Sequence, residues 1–413
     1  MSKMLSSLIV TFLFLADYIV LSLKLPSLLG AWREILVLTY VSLLLSWTFV
    51  CIAARKAVDR KHCLQLNMFF FAIAFYLICG DFSEPSFRIY RSFVMPVLIG
   101  LLVAVVAVPY DLRSKLGSIY TTLLVMTTVT GLYAIYQYVT IEKAESFWYW
   151  PLLTEKGFEL QPYNSMRNNM PRMSGFFTGT LEFSAVVLNT TILLLALLFR
   201  FLRQRAFNLK FFIFLILTCF FIGLLFYGSV RTALIGLVTC GFYLIALRYI
   251  ASTTSVIFVG YLYVATFTSS IFLYLVLGYT EDLSALDRVR QWIWVIDLLN
   301  DNPLGLGFSS VGPGQKYWFD SFWLNLLASS GYIGVGILVG MLFFYRWLVI
   351  AANKLRSSDS ILLNATADYL IVSYPFFLSS FFFQAYTNSA VLYLFVILVM
   401  VVMYESKFNY SKD

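Results

Sequence analysis

The chain has 413 residues, 61% of them hydrophobic and only 12% charged, with a formal net charge of +8. Soluble proteins average about 45–50% apolar and 25% charged residues. The composition therefore excludes a water-soluble enzyme or binding module and marks an integral membrane protein.

A helix needs about 20 apolar residues to cross the hydrocarbon core. In chain order, such runs fall near 5–23, 35–53, 64–79, 93–108, 117–139, 181–199, 211–227, 232–247, 255–277, 321–349, 362–380 and 388–404. The expected fold is therefore all-α, a single polytopic membrane domain over 1–413 with about twelve transmembrane helices. Asp17 interrupts the first run and no convincing small-x-small cleavage site follows it, so Met1 to Leu23 reads as a retained helix rather than a leader.

If every run crosses, 17 of the 29 Lys and Arg fall on one side, including Arg55, Lys56, Arg60, Lys61, Arg200, Arg203, Arg205 and Lys210. The positive-inside rule makes that side cytoplasmic and places both termini there. The opposite side carries 12 basic and 14 acidic residues. The net positive charge thus belongs to loops that face anionic membrane lipids, and it requires no nucleic-acid partner. The five cysteines form no CxxC pair, so neither a disulfide framework nor a zinc site is expected. The single histidine, His62, falls in a cytoplasmic loop.

Two external segments, 140–180 and 278–320, are much longer than the usual connection. The first contains "SFWYWP" with Trp148 and Trp150. The second contains "SALDRVRQWIWVIDLLND", which predicts a helix lying on the membrane surface. Ser284 is placed to cap it. Ala285, Val289, Trp292, Ile296 and Leu299 form the expected apolar face, opposite Asp287, Arg290, Gln291, Trp294 and Asp297. Asn302, Pro303, Gly305 and Gly307 then end the helix in a sharp turn.

Arg172, Arg231 and Arg288 each lie at an external membrane edge. A guanidinium is expensive to desolvate there and usually has an anionic partner. Head-group snorkelling explains any one of them alone, whereas several converging on one face favour a phosphate group of a lipid-linked substrate.

Four blocks, "RMSGFFTGTLEFSAVVLN", "GSVRTALIGL", "DRVRQWIWVIDLLNDNPLGLG" and "DSFWLNLLASSGYIGVG", occur in that order. Together they resemble the O-antigen polymerase and O-antigen ligase superfamily, bacterial inner-membrane glycosyltransferases of GT-C type acting on undecaprenyl-diphosphate-linked glycans. The resemblance covers roughly 170–340. It implies that Arg172, Arg231 and Arg288 contact diphosphate and glycan, with Arg290 and Trp292 beside them, and that the active site lies on the periplasmic face. Ligases of this superfamily have a His-Asn pair where this chain has Asp320-Ser321, and polymerases commonly have Asp there. The expected activity is therefore polymerisation of O-antigen or capsular repeat units, with ligation of glycan to lipid A core as the alternative and a transporter or flippase as the reading from a different class. A chain-length regulator protein is a further candidate partner.

Transfer from a lipid diphosphate breaks the anomeric C1–O bond, and negative charge develops on the departing diphosphate. Guanidinium forks can neutralise that charge in place of a metal. An acceptor hydroxyl must also lose a proton to a base. Asp320 and Glu182, at the external starts of the tenth and sixth runs, are the candidates, and Ser321 is a candidate sugar contact. The only adjacent external carboxylate pair is Glu281-Asp282, so no metal and no cofactor is expected.

Overall fold

The computed structural model of the protein describes residues 2–22, 32–54, 60–106, 112–140, 166–167, 170–177, 179–228, 230–250, 252–277, 283–312, 315–319, 321–381 and 390–408. Within the described residues each apolar run lies in a helix: α1 (Ser2–Ser22), α2 (Trp32–Ala53), α3 (Arg60–Cys79), α4 (Glu84–Val106), α5 (Leu112–Val139), α6 (Thr180–Arg203), α7 (Leu209–Gly228), α8 (Arg231–Ala246), α9 (Thr253–Leu277), α11 (Phe322–Arg356), α12 (Ile361–Ser380) and α13 (Ala390–Phe408). The amphipathic segment forms α10 (Leu283–Asp301), and two-residue strands β1 (Met166–Arg167) and β2 (Met170–Pro171) pair antiparallel before α6. Among the described residues, seven helices have the length and apolar composition to cross a membrane. The chain is an all-α membrane protein.

The helix α12 is the hub. From Leu363 to Ser380 every residue is buried, because α11, α6, α9 and α8 all pack around it. A helix apolar on all sides needs such surroundings. Its neighbours reach it through small residues and buried hydroxyls. Gly260 of α9 lies so close to the Tyr345 ring of α11 that a Cβ would overlap it. The Tyr345 hydroxyl in turn donates to the Ile371 carbonyl at 3.2 Å. Nearby, Tyr369 donates to Oδ1 of Asn189 at 2.6 Å, and the hydroxyls of Thr127 and Thr190 are 3.1 Å apart. Close approach and shared hydroxyls are how helices associate where solvent gives no hydrophobic drive. At the periphery, Phe49, Phe71, Ile216 and Phe258 are exposed at 56% or more, a lipid-facing surface rather than a water-facing one.

Polar contacts tie neighbouring helices together near both of their ends. At one end, Ser7 meets Ser118 at 2.7 Å, Nδ2 of Asn353 donates to Thr253 at 2.8 Å, and Arg200 pairs with Asp368. At the other end, Arg91 pairs with Glu34, and Gln137 holds Ser174 and Gly175. Arg200, Arg203, Arg248 and Arg356 lie at the first end.

Helix α11 departs from a simple span. Its 35 residues would extend about 52 Å at 1.5 Å per residue, against a core of about 30 Å. The length is divided by a kink at Gly331, whose φ of 58° and ψ of −137° are non-helical. The nine residues before it, Phe322 to Ser330, are all buried.

Candidate functional site

The stretch from α10 into α11 is a docked unit, and its turn explains the glycines. The amides of Leu306 and Gly307 donate to the carbonyls of Ala328 and Ser329 at 2.8 and 3.0 Å, and the amide of Tyr332 donates to the Pro303 carbonyl at 2.8 Å. The kink at Gly331 leaves those helical groups without their usual partners, and the turn supplies replacements. The same loop reaches the other side of the site. The amide of Phe308 donates to the Cys79 carbonyl at 3.0 Å, and its ring is fully buried against Phe75, Tyr90 and Phe93.

Asp81, just beyond α3, faces this loop. Hydrogen bonding from Ser309, then from the hydroxyl and amide of Ser83, holds its carboxyl at about 2, while Oγ of Ser86 accepts from the Asp81 amide at 3.0 Å. Those hydrogen bonds favour the ionised form of an otherwise exposed group.

Helix α10 buries a different face from the one its periodicity suggests. Val295 and Leu298 are 1% and 8% exposed, packed on Val311, Phe319, Leu324 and Leu327, whereas Ile296, expected inside, is 56% exposed together with Ile293. Trp294, expected on the polar face, stacks 4.9 Å from Tyr317 and 5.4 Å from Phe319. The helix begins at Leu283, so Ser284 lies in its first turn and not at the cap. Apolar residues lie on both the packed and the exposed side of this helix, and periodicity alone does not tell them apart. Asp287 accepts from Nε2 of Gln291 at 3.0 Å rather than from Arg290, which is exposed. Trp292 is half-buried and touches both the main core and the α10 cluster. Arg288 lies on α10, but its side chain, like Asp320, is outside the described residues, as are Trp148, Trp150, Glu281 and Asp282.

What flanks Asp320 is well fixed. Asn325, buried on the first turn of α11, donates from Nδ2 to the carbonyls of Phe319 at 2.7 Å and Ser321 at 2.8 Å, and its Oδ1 accepts from the Phe319 amide at 3.2 Å. Ser321 caps α11: its Oγ accepts from the Leu324 amide at 3.2 Å and donates to the Phe381 carbonyl at 3.0 Å. Its hydroxyl is thus engaged on both sides within the fold.

The first block is held by a residue outside it. Oε1 of Gln137, at the end of α5, accepts from the amides of Ser174 at 3.2 Å and Gly175 at 2.8 Å, and Nε2 donates to the Gly175 carbonyl at 3.2 Å. This fixes the turn between Arg172, which is half-buried, and Glu182. The Glu182 carboxylate accepts from the amide of Ala390, the first residue of α13. A carboxylate there also meets the positive end of the helix dipole. Arg231 is exposed at the first position of α8 and makes no ion pair among the described residues.

Comparison of the chain with protein-family models, with curated proteins and with solved structures finds no match.

Around the start of α13 the structure assembles charges that sequence reasoning missed. The guanidinium of Arg33 lies 4.7 Å from the Tyr393 ring centre, and Nη1 of Arg91 binds Oε1 of Glu34 at 2.9 Å. Arg33, Glu34 and Arg91 are all close enough to act electrostatically on Tyr393, three residues after the Ala390 that Glu182 holds. Glu34 is 9% exposed, and its second oxygen has no hydrogen-bond partner among the described residues. Such buried groups are costly unless something satisfies them. The signal was present in the sequence: Arg33-Glu34 and Arg91 are charges beside apolar runs, but they lie outside the four blocks.

Proposed function

We propose that the protein is a polymerase that joins undecaprenyl-diphosphate-linked repeat units into O-antigen or capsular polysaccharide. One observation carries the reading: the third and fourth blocks, separated by a loop in sequence, fold as one unit in which the "NPLGLG" turn completes the kink of "LLASSGYIG". The resembling segments thus fold together, and Asn325 holds Phe319 and Ser321, the residues on either side of Asp320 in the chain. On this reading the chain crosses the bacterial inner membrane twelve times with both termini cytoplasmic, adopts a GT-C architecture and works at its periplasmic face.

The acceptor hydroxyl oxygen forms its bond to the anomeric carbon as the C1–O bond to diphosphate breaks. Its proton passes to Asp320, the preferred base, because Glu182 is engaged at the start of α13. The diphosphate leaves with its negative charge balanced by Arg172, Arg231 and Arg288, so no metal is required.

A strain lacking the gene tests the proposal by gel analysis of its surface polysaccharide. The expected product is core carrying a single repeat unit. Core with no repeat would indicate a ligase instead, and an unaltered ladder would reject both activities. Purified enzyme with a lipid-linked repeat should remain active in excess chelator.

A further inference from the structure

A second concentration of charge lies at the opposite end of the bundle, and the proposed transfer reaction does not use it. Arg200 and Arg203 at the end of α6, Arg248 after α8 and Arg356 at the end of α11 line a shallow cleft that opens to solvent, together with Asp368 of α12. Nε and Nη2 of Arg200 hold Oδ2 of Asp368 at 2.6 and 2.5 Å. Nε of Arg356 is 3.1 Å from Oδ1, an ion-pair distance without the alignment of a hydrogen bond. The remaining Arg356 nitrogens reach the Leu247 carbonyl at 3.3 Å and Oδ1 of Asn353 at 3.5 Å. Arg200 and Arg356 are therefore committed to the fold.

Arg203 and Arg248 are not. Both are exposed at the rim, and among the described residues neither has an ion-pair partner; Arg248 only lies 5.6 Å over the Phe199 ring. Helix dipoles do not account for this excess. The C-termini of α6, α8 and α11 each contribute about −0.5 charge, the N-terminus of α12 about +0.5, and Asp368 contributes one negative charge. Against four guanidinium groups, the cleft keeps roughly two positive charges. General attraction of basic loops to lipid explains exposed arginines singly, but not their convergence from separate helices on one concave, partly apolar site.

We propose that this cleft binds the phosphate of an anionic phospholipid headgroup. Arg203 and Arg248 offer planar forks suited to phosphate oxygens, and Phe199 and Leu247 form the apolar wall. Leu202, Phe242 and Ile245, exposed at 43%, 69% and 42%, continue the apolar surface from the rim along α6 and α8, where acyl chains would lie. That continuity favours a lipid over a free anion, although both present the same phosphate chemistry.

The full-length chain, purified in detergent and titrated with phosphatidylglycerol or phosphatidylcholine, tests this by native mass spectrometry. It is expected to retain phosphatidylglycerol at one to one and not phosphatidylcholine. R203A/R248A, which touches neither the Asp368 pair nor the proposed active face, should weaken retention by about 25-fold, roughly fivefold for each arginine removed near an anionic surface. R205A/K210A removes equal charge from the adjoining loop and the first turn of α7 and should leave retention unchanged. Equal loss in both variants would make the attraction diffuse and overturn the site, as would no loss in either. Displacement of the lipid by inorganic phosphate at the same concentration would overturn the lipid assignment. Elution of both variants at the wild-type position on size exclusion controls for folding.

Discussion

Gly305 and Gly331 meet backbone to backbone. A Cβ on Gly305 would come within 2.6 Å of the Gly331 amide nitrogen, a Cβ on Gly331 would overlap the Pro303 carbonyl, and both residues have positive φ, 79° and 58°. The turn after α10 and the kink in α11 are therefore one joint, and neither conformation would have its hydrogen bonds without the other.

Gly331→Ala should consequently lower stability by at least about 2 kcal/mol, combining positive-φ strain with a backbone clash. Gly340→Ala, on the same helix with nothing within 4 Å of its Cβ, should be neutral or slightly stabilising. Thermal unfolding of the two variants in detergent, followed by size exclusion, distinguishes them.

Asn325→Leu should cost about 1–3 kcal/mol, because it leaves buried peptide groups of Phe319 and Ser321 without their partner. It should also shorten or abolish the polysaccharide ladder, since those peptide groups flank Asp320. Asp320→Asn should lose the ladder without the loss of stability. The pair of measurements separates positioning from proton transfer.

The Asp81 carboxyl, held at about 2 by Ser309 and Ser83, titrates below its unfolded value of about 3.9. The folded state therefore binds the proton less readily, so this contribution is complete above about pH 4 and is lost as pH falls toward 2. The melting temperature of Asp81→Asn should lie below wild type by a constant margin from pH 5 to 8. The two should converge between about pH 4 and 2. A margin that persists at the acid end would show that the serine hydroxyls act on something other than the ionised carboxylate.

Arg288 and Arg290 are two residues apart on α10, about 200° around the helix axis, or 160° by the shorter way. An undistorted helix cannot present both to one ligand, and Arg290 is exposed. Arg288→Ala should abolish polymerisation, Arg288→Lys should restore little of it for want of the bidentate fork, and Arg290→Ala should be mild. Laddering in the complemented deletion strain, at matched membrane abundance, reads all three. A normal ladder from Arg288→Ala would reject its role in holding diphosphate.

Composition and run length determined the class of this protein, because in lipid the backbone must satisfy itself and an apolar run of sufficient length has little choice but to be a helix. Within the described residues all twelve runs are accordingly helical. The sequence also marked the break after Asp301 and the importance of the glycines there. Only the tertiary structure decided what those glycines touch, since Gly305 and Gly331 are neighbours solely through the folding of the loop. It alone decided which side of α10 faces protein: Ile296 and Val295 are equally apolar, and lipid accepts either. The same holds for the charges. Glu34 with Arg91, Arg200 with Asp368, and Glu182 with the first amide of α13 pair across 57, 168 and 208 residues. No local period encodes such pairings, because they depend on which helices pack side by side.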